Sequence, residues 1–463
     1  MKSYTKYICQ KCGYESAQWL GKCPNCGEWN SLVETVVQKT EDRRLKTEAE
    51  EVRLQKLSEI KSLSQKRITT GIGEFDRVLG DGLVPGSIIL LAGDPGIGKS
   101  TLLLQLTESV NSKHEARNSK QIQNSNLKNS KTVSDFGFRN SDLVLYVCGE
   151  ESPEQVKLHA QRMGIKGENL LLFPQTDVDT ICEQIEEIKP LLVVIDSIQT
   201  LTTSDLSGTA GSVGQVRESA ARLAKIGKKL GIPIFLIGHV TKEGAIAGPM
   251  VLEHLVDTIL FLEGERFYAA RTLRSFKNRF GPTDEVGVFQ MKEEGLVEVK
   301  NPSELFLQER EKETPGSVVV PILEGTRPIL VEIQGLVSQT SLAFPRRVAS
   351  GFDQNRLSIL AAVIAKRLSL PLYGWDIFIN VPGGLRIKEP AADLGVALAI
   401  ISSFKNKPLP AKSFAFGEVG LLGEIRKVVG EEKRVKEAKR LGFSYGITPQ
   451  ACKSLLQTNK NFV

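Results

Sequence analysis

Five short apolar runs punctuate the first two thirds of the chain, at 87–93, 143–147, 191–196, 232–237 and 258–262. Each is strand-length and uninterrupted, and helical stretches separate several of them. Continuous runs of this kind indicate a parallel sheet buried on both faces, hence an α/β fold. Beyond 301–316 the pattern changes. Alternating strands at 318–322 and 329–337 precede an amphipathic helix at 355–368 and a strand at 376–381. A second helix (391–404), a glycine-rich hairpin (417–423) and a basic helix (431–441) follow. This mixture predicts a separate α+β domain of about 150 residues. No internal repeat is visible.

Two stretches carry no apolar period. Residues 39–67 hold nine basic and six acidic side chains, which reads as a charged linker over 38–67 rather than core. In 111–142, six Asn, six Ser and four Lys fill half of the positions, and the segment reads as a disordered surface insertion. Over all 463 residues, 41% are hydrophobic and 25% charged, which excludes a mainly disordered or fibrous chain. No apolar run approaches the roughly 18 residues of a membrane helix. The polar N-terminus, MKSYTKYICQ, lacks the apolar segment of a secretory signal. A cytoplasmic protein with no membrane partner is expected. Sixty basic against fifty-four acidic residues leave a net charge of +6, compatible with a polyanionic partner.

Four of the seven cysteines lie at Cys9, Cys12, Cys23 and Cys26. Two CxxC knuckles, each followed by a glycine (Gly13, Gly27), suit four thiolates around Zn2+. A segment as short as 1–37 has too small a core to fold without such a staple. A closed structural zinc ribbon is therefore expected, with Cys148, Cys182 and Cys452 as inert core residues.

The stretch Gly93, Asp94, Pro95, Gly96, Ile97, Gly98, Lys99, Ser100 fits GxxxxGK[ST], with Thr101 opening an apolar helix. Glycines turn backbone N–H groups toward the phosphates of ATP or ADP, the helix dipole adds to them, Lys99 supplies charge and Ser100 an Mg2+ ligand. The run at 191–196 ends in Asp196, the second expected Mg2+ ligand. Glu150 and Glu151 leave the end of the strand at 143–147, where one of them would activate water and the other would open a helix. His239 ends the strand at 232–237, open both to sensing the terminal phosphate and to a satisfied buried histidine.

Together these motifs resemble the bacterial RadA (Sms) repair and recombination family, relatives of the RecA and DnaB ATPases. The shared order is the CxxC pair, GDPGIGKST, LYVCGEES, VVIDSIQT, IGHVTKEG and KNRFG at 277–281. The resemblance covers nearly the whole chain. It implies a zinc ribbon at 1–37, a RecA-like core at 68–300 and a non-proteolytic Lon-like domain at 315–463. It further implies a DNA-dependent ATPase that promotes branch migration in homologous recombination and break repair. Single-stranded and branched DNA and a RecA-type recombinase would be its partners, a hexameric ring its assembly, and association with the nucleoid its working location. By position Glu150 matches the catalytic glutamate. Lys277 and Arg279 would reach a neighbour's nucleotide or couple it to DNA, although alone they read as a basic turn. The loop at 207–214 looks like a DNA-touching pore loop, equally readable as a mobile linker.

In the Lon-like region alanine at 391 takes the place of the nucleophilic serine, so no acyl enzyme can form. Its basic residues Arg346, Arg347, Lys366, Arg367, Arg386, Lys388, Lys433 and Arg434 are expected to line a duplex track. Two competing classes remain at the level of sequence: a Lon-like protease, opposed by Ala391, and an ATP-dependent protein-binding switch.

Overall fold

The computed structural model describes residues 3–38, 67–121, 143–239, 249–264, 269–307, 310 and 314–462. It forms two compact units. The first comprises 1–263, 272–283 and 291–298, and the second 264–271, 284–290 and 299–463. The single boundary expected between 300 and 315 is thus replaced by an interleaved one. The reason is packing: Val286 and Val288 belong to the second unit's apolar core.

In the first unit, β1 (Ser3–Cys9), β2 (Glu15–Ser16) and β3 (Leu32–Gln38) form an antiparallel sheet in the order β2-β1-β3. Helix α1 (Gly73–Leu79) leads into the main sheet. Its strands alternate with helices: β4 (Ile88–Gly93), α2 (Lys99–Gln121), β5 (Val144–Cys148), α3 (Pro153–Arg162), β6 (Leu170–Phe173), α4 (Val178–Ile188), β7 (Leu192–Asp196), α5 (Val213–Leu230), β8 (Ile234–His239), α6 (Pro249–Leu252) and β9 (Thr258–Glu263). The parallel order is β6-β5-β7-β8-β4-β9, and β10 (Ala270–Asn278) adds antiparallel to β9. Strands β4, β5 and β7 are buried along their whole length, as their unbroken apolar runs require. One face is covered by α4 and α5, whose Ile181, Ile185, Val216 and Leu223 share a core with Val193 and Ile195.

Three expectations change here. Helix α2 runs to Gln121, so 111–121 is helical. Its lysines, glutamate, alanine, arginine and glutamine are good helix formers, and neither glycine nor proline stops it. The rest of the expected insertion, 122–142, and the charged linker at 39–66 lie outside the described residues. Strands β6 and β10 were not foreseen, and Lys277 and Asn278 close β10 instead of making a turn. The loop read at 207–214 is shorter, because α5 begins at Val213.

Two short strands, β11 (Val286–Lys292) and β12 (Gly295–Glu298), and helix α7 (Pro302–Leu307) follow in sequence. The second unit is built on β13 (Ser317–Glu324), β14 (Arg327–Gln339), β15 (Arg347–Ser350) and β16 (Trp375–Asn380), ordered β13-β14-β16-β15. Helices α8 (Gln354–Leu368) and α9 (Asp393–Lys405) pack on it. Gly335 of β14 lets α9 approach: an added Cβ would lie 2.9 Å from the carbonyl carbon of Ala399. Short strands β17 (Ser413–Ala415), β18 (Glu418–Val419), β19 (Ile425–Arg426) and β20 (Tyr445–Ile447) complete it, with α10 (Glu431–Arg440) and α11 (Leu455–Phe462). Among the described residues no helix is long and apolar enough to cross a membrane.

Candidate nucleotide site and metal centre

Strand β4 ends at Gly93, and after five intervening residues α2 begins at Lys99. A Cβ at Gly93 would sit 2.5 Å from the Leu262 carbonyl oxygen, so only glycine fits where β4 meets β9. Gly96 has φ +76 and nothing within 4 Å of an added Cβ, leaving the crest of the loop open toward a ligand. The buried Lys99 ammonium donates to the carbonyls of Gly93 at 2.9 Å and Asp94 at 3.0 Å. Burial lowers its pKa, against the pull of the carboxylates of Asp196, Glu150 and Asp94. Those acids therefore share the electrostatic neighbourhood of the loop. Ser100 and Thr101 open the first turn of α2, where N–H groups and the helix dipole favour phosphate.

The parallel pairing of β5 with β7 sets Cys148 beside Asp196. Three hydrogen bonds then stitch the two strand ends together. The Gly149 N–H donates to the Asp196 carbonyl at 2.6 Å. The Tyr146 hydroxyl donates to Asp196 Oδ2 at 2.5 Å. The Ser197 hydroxyl donates to Glu150 Oε1. Glu151 turns elsewhere, its carboxylate 3.8 Å from His159 Nδ1 on α3. The two adjacent acids are thus separated by geometry, and Glu150 is the one facing the strand that carries Asp196. His239 ends β8 in register with Gly93, and residues 240–248 after it lie outside the described residues.

Lys277 and Arg279 do not join this cluster within one chain. Gly93 pairs with Leu262 of β9, whereas Thr258 pairs with Ile89 and with Asn278. Four residues of strand separate those levels, about 13 Å at 3.3 Å per residue. Lys277 Nζ donates to the Glu253 and Val256 carbonyls at 2.5 and 2.9 Å, and Arg279 lies 3.7 Å from the buried Asp257. Both sit at the edge of the sheet opposite the glycine loop.

At the N-terminus the two knuckles repeat one geometry. Gly13 N–H donates to the Cys9 carbonyl and Gly27 N–H to the Cys23 carbonyl, both at 2.9 Å. Both glycines have φ near +72, a turn that side chains resist. The four sulfurs all lie within 4.8 Å of one another. Cys9 to Cys26 is 3.6 Å and Cys12 to Cys23 is 3.5 Å. Zn–S bonds of about 2.3 Å place tetrahedral sulfurs about 3.8 Å apart, so the cluster fits a closed Zn2+ site. The Arg217 guanidinium donates to the Gly13 carbonyl at 2.8 Å, which ties the ribbon to α5.

In the second unit Ala391 is buried and its carbonyl accepts the Gly417 N–H at 2.8 Å. The basic set expected to line a track divides. Arg434 is fully buried and pairs bidentately with Glu389 at 2.8 and 2.6 Å. Arg346 is bound to Asp376 and stacks over Phe378, and Arg347 donates to the carbonyls of Trp375 and Leu372. Lys366, Arg367, Arg386, Lys388 and Lys433 are exposed. Arg434 thus leaves the track, because a buried guanidinium needs its carboxylate.

Comparison with known proteins supplies the family. Residues 7–34 match a rubredoxin metal-binding domain, 55–245 an AAA domain, and 354–452 the ChlI subunit of Mg-chelatase. A Bacillus subtilis (strain 168) protein named DNA repair protein RadA is 49% identical over 454 residues, 97% of this chain and 93% of its own. A namesake from Listeria monocytogenes is 48% identical over 450 residues, at the same coverages. The chain belongs to the RadA family of DNA repair proteins. As a RadA-family member with an AAA domain it is an ATP hydrolase. Its RecA-like α/β core carries the glycine loop, its zinc ribbon precedes that core, and its Lon-like domain follows. Two residues of the site escaped sequence reading. Tyr146 and Ser197 touch Asp196 and Glu150 across strands about fifty residues apart in sequence, a contact that no local motif announces.

Proposed function

We propose that this chain is a DNA-dependent ATPase that works as a ring of identical subunits and drives branch migration of recombination intermediates. One observation carries the reading: Lys277 and Arg279 stand at the edge of the sheet opposite their own glycine loop. A basic pair so placed completes a nucleotide site only across a subunit boundary. Backbone N–H groups of Gly96 and Gly98, together with Lys99, hold the phosphates of ATP. Ser100 and Asp196 would hold Mg2+, which would supply charge neutralisation at the phosphates. Glu150, oriented by Ser197, accepts the proton of the attacking water. Lys277 and Arg279 of the adjacent subunit complete the charge around the terminal phosphate.

DNA contacts are assigned to the exposed loop at 207–210 and to the exposed subset Lys366, Arg367, Arg386, Lys388 and Lys433. The resemblance adds a RecA-type recombinase as protein partner. A second reading, a protein-binding switch, is favoured by Trp19 and Trp29, which are 55% and 69% exposed on the ribbon. Steady-state ATP hydrolysis with and without single-stranded DNA, across a salt series, separates the two. Stimulation that fades steeply with salt is expected of the motor. Equal rates with and without DNA overturn it and leave the switch.

A further inference from the structure

Asp196 is held from two directions by the same strand. Its peptide carbonyl accepts the Gly149 N–H at 2.6 Å, and its carboxylate accepts the Tyr146 hydroxyl at 2.5 Å. Tyr146 is 1% exposed and Asp196 8% exposed, so both groups lie largely out of water. Tyr146 lies within β5, paired on one side with β6 and on the other with β7. A neutral hydroxyl orients a carboxylate without adding a positive charge beside it. The adjoining bond, from Ser197 to Glu150, holds the water-activating acid against the residue that follows the metal ligand. The segments 146–150 and 196–197 thus form one stitched unit.

We propose that Tyr146 is a positioning residue for magnesium: its hydroxyl fixes the plane of the Asp196 carboxylate, while Ser197 does the corresponding work for Glu150. The inference rests on the assignment of Asp196 as the Mg2+ ligand and goes beyond it in dividing the stitched unit into two tasks.

The test uses the full chain, a fluorescent ATP analogue and a Mg2+ titration. Tyr146→Phe is expected to raise the half-saturating Mg2+ concentration by about tenfold, the usual scale for an outer-shell partner. Affinity measured in chelator is expected to stay at the wild-type value. Ser197→Ala is expected to do the reverse, lowering kcat by about tenfold with the Mg2+ requirement unchanged. A Tyr146→Phe protein with wild-type Mg2+ half-saturation overturns the proposal. If Tyr146→Phe does not fold, 4-fluorophenylalanine at 146 nearly preserves the shape of tyrosine and removes the donor. It should raise the Mg2+ requirement, and no change would again overturn the proposal. Asp196→Asn serves as the reference. If it keeps a wild-type Mg2+ response, the site assignment itself falls. If it loses that response while Tyr146→Phe does not, only the positioning role falls.

Discussion

Asp196 in the first unit and Asp393 in the second are both buried carboxylates, and the partners that hold them differ in charge. Asp196 is met by a phenol and lies in the electrostatic field of Lys99. Asp393 is fully buried, paired with Arg356 through both oxygens, and accepts the Val419 N–H at 3.2 Å. The bond to Asp393 raises the Arg356 pKa, while burial raises that of Asp393 against the pull of Arg356. A hydroxyl orients a carboxylate without adding charge, whereas a guanidinium neutralises it. Asp393 is committed to the fold. Ala391, two residues before it, is buried and offers no nucleophile.

The comparison breaks most visibly at Lys99. Lys99→Ala should cut ATP turnover at least about a hundredfold, because a charge aimed at the phosphates is lost. Thermal melting should show the chain still folded. Retained hydrolysis would place the chemistry elsewhere in the molecule.

Next comes the metal centre, a site whose charge is likewise turned inward. Cys12→Ser removes one of four thiolates and should lower bound zinc from about one equivalent per chain toward none. Atomic absorption on the purified full chain reads this directly. Unchanged metal content would show that the cluster is not a four-thiolate site.

A pair of neighbours in α10 sharpens the contrast between structural and available charge. Arg434→Ala strands Glu389 and the carbonyls of Pro321 and Val429, and should cost about 3–5 kcal/mol in urea unfolding. Lys433→Ala, one residue earlier and exposed, should stay within about 0.5 kcal/mol. Its effect should appear in duplex binding, as a salt slope shallower by about one. Equal destabilisation by both would deny the division.

That division marks the limit of sequence reading here. The glycine loop, Asp196, the two acids at 150–151 and the cysteine knuckles are legible because their chemistry is contiguous and fixed by spacing. The five buried strands are legible because burial on both faces erases polar positions. Arg434 is not legible: within Glu-Glu-Lys-Arg-Val-Lys it looks like one more solvated charge, and its partner lies 45 residues away. Strand β10 hid for a related reason, since Arg271, Arg274 and Lys277 interrupt any apolar run. The interleaving of the two units depends on where Val286 and Val288 pack, which no local pattern fixes. Tyr146 reads as ordinary strand filling, because the carboxylate its hydroxyl reaches lies fifty residues on in another strand.

The smallest effect expected concerns a charge of the third kind, a carboxylate held by exposed chemistry. The Arg346 backbone N–H at 2.7 Å and its guanidinium at 2.8 and 3.0 Å hold the Asp376 carboxyl below its ordinary range. Because the folded pKa lies below the unfolded one, the unfolded chain binds the proton more readily. The stabilisation is then present above about pH 4, the ordinary carboxylate value, and is lost as pH falls through the folded pKa. Asp376→Asn should therefore lower the unfolding midpoint slightly at neutral pH and flatten its fall in acid, measured by urea titration at pH 3 to 7 (a range set by the ordinary carboxylate pKa of about 4). Arg346 is about half exposed, so solvent screens the pair and the shift should be far smaller than that of Arg434→Ala. An acid slope identical to wild type would mean that the pair only orients the start of β15. An effect as large as that at Arg434 would mean that exposure does not separate the two kinds of charge in this unit.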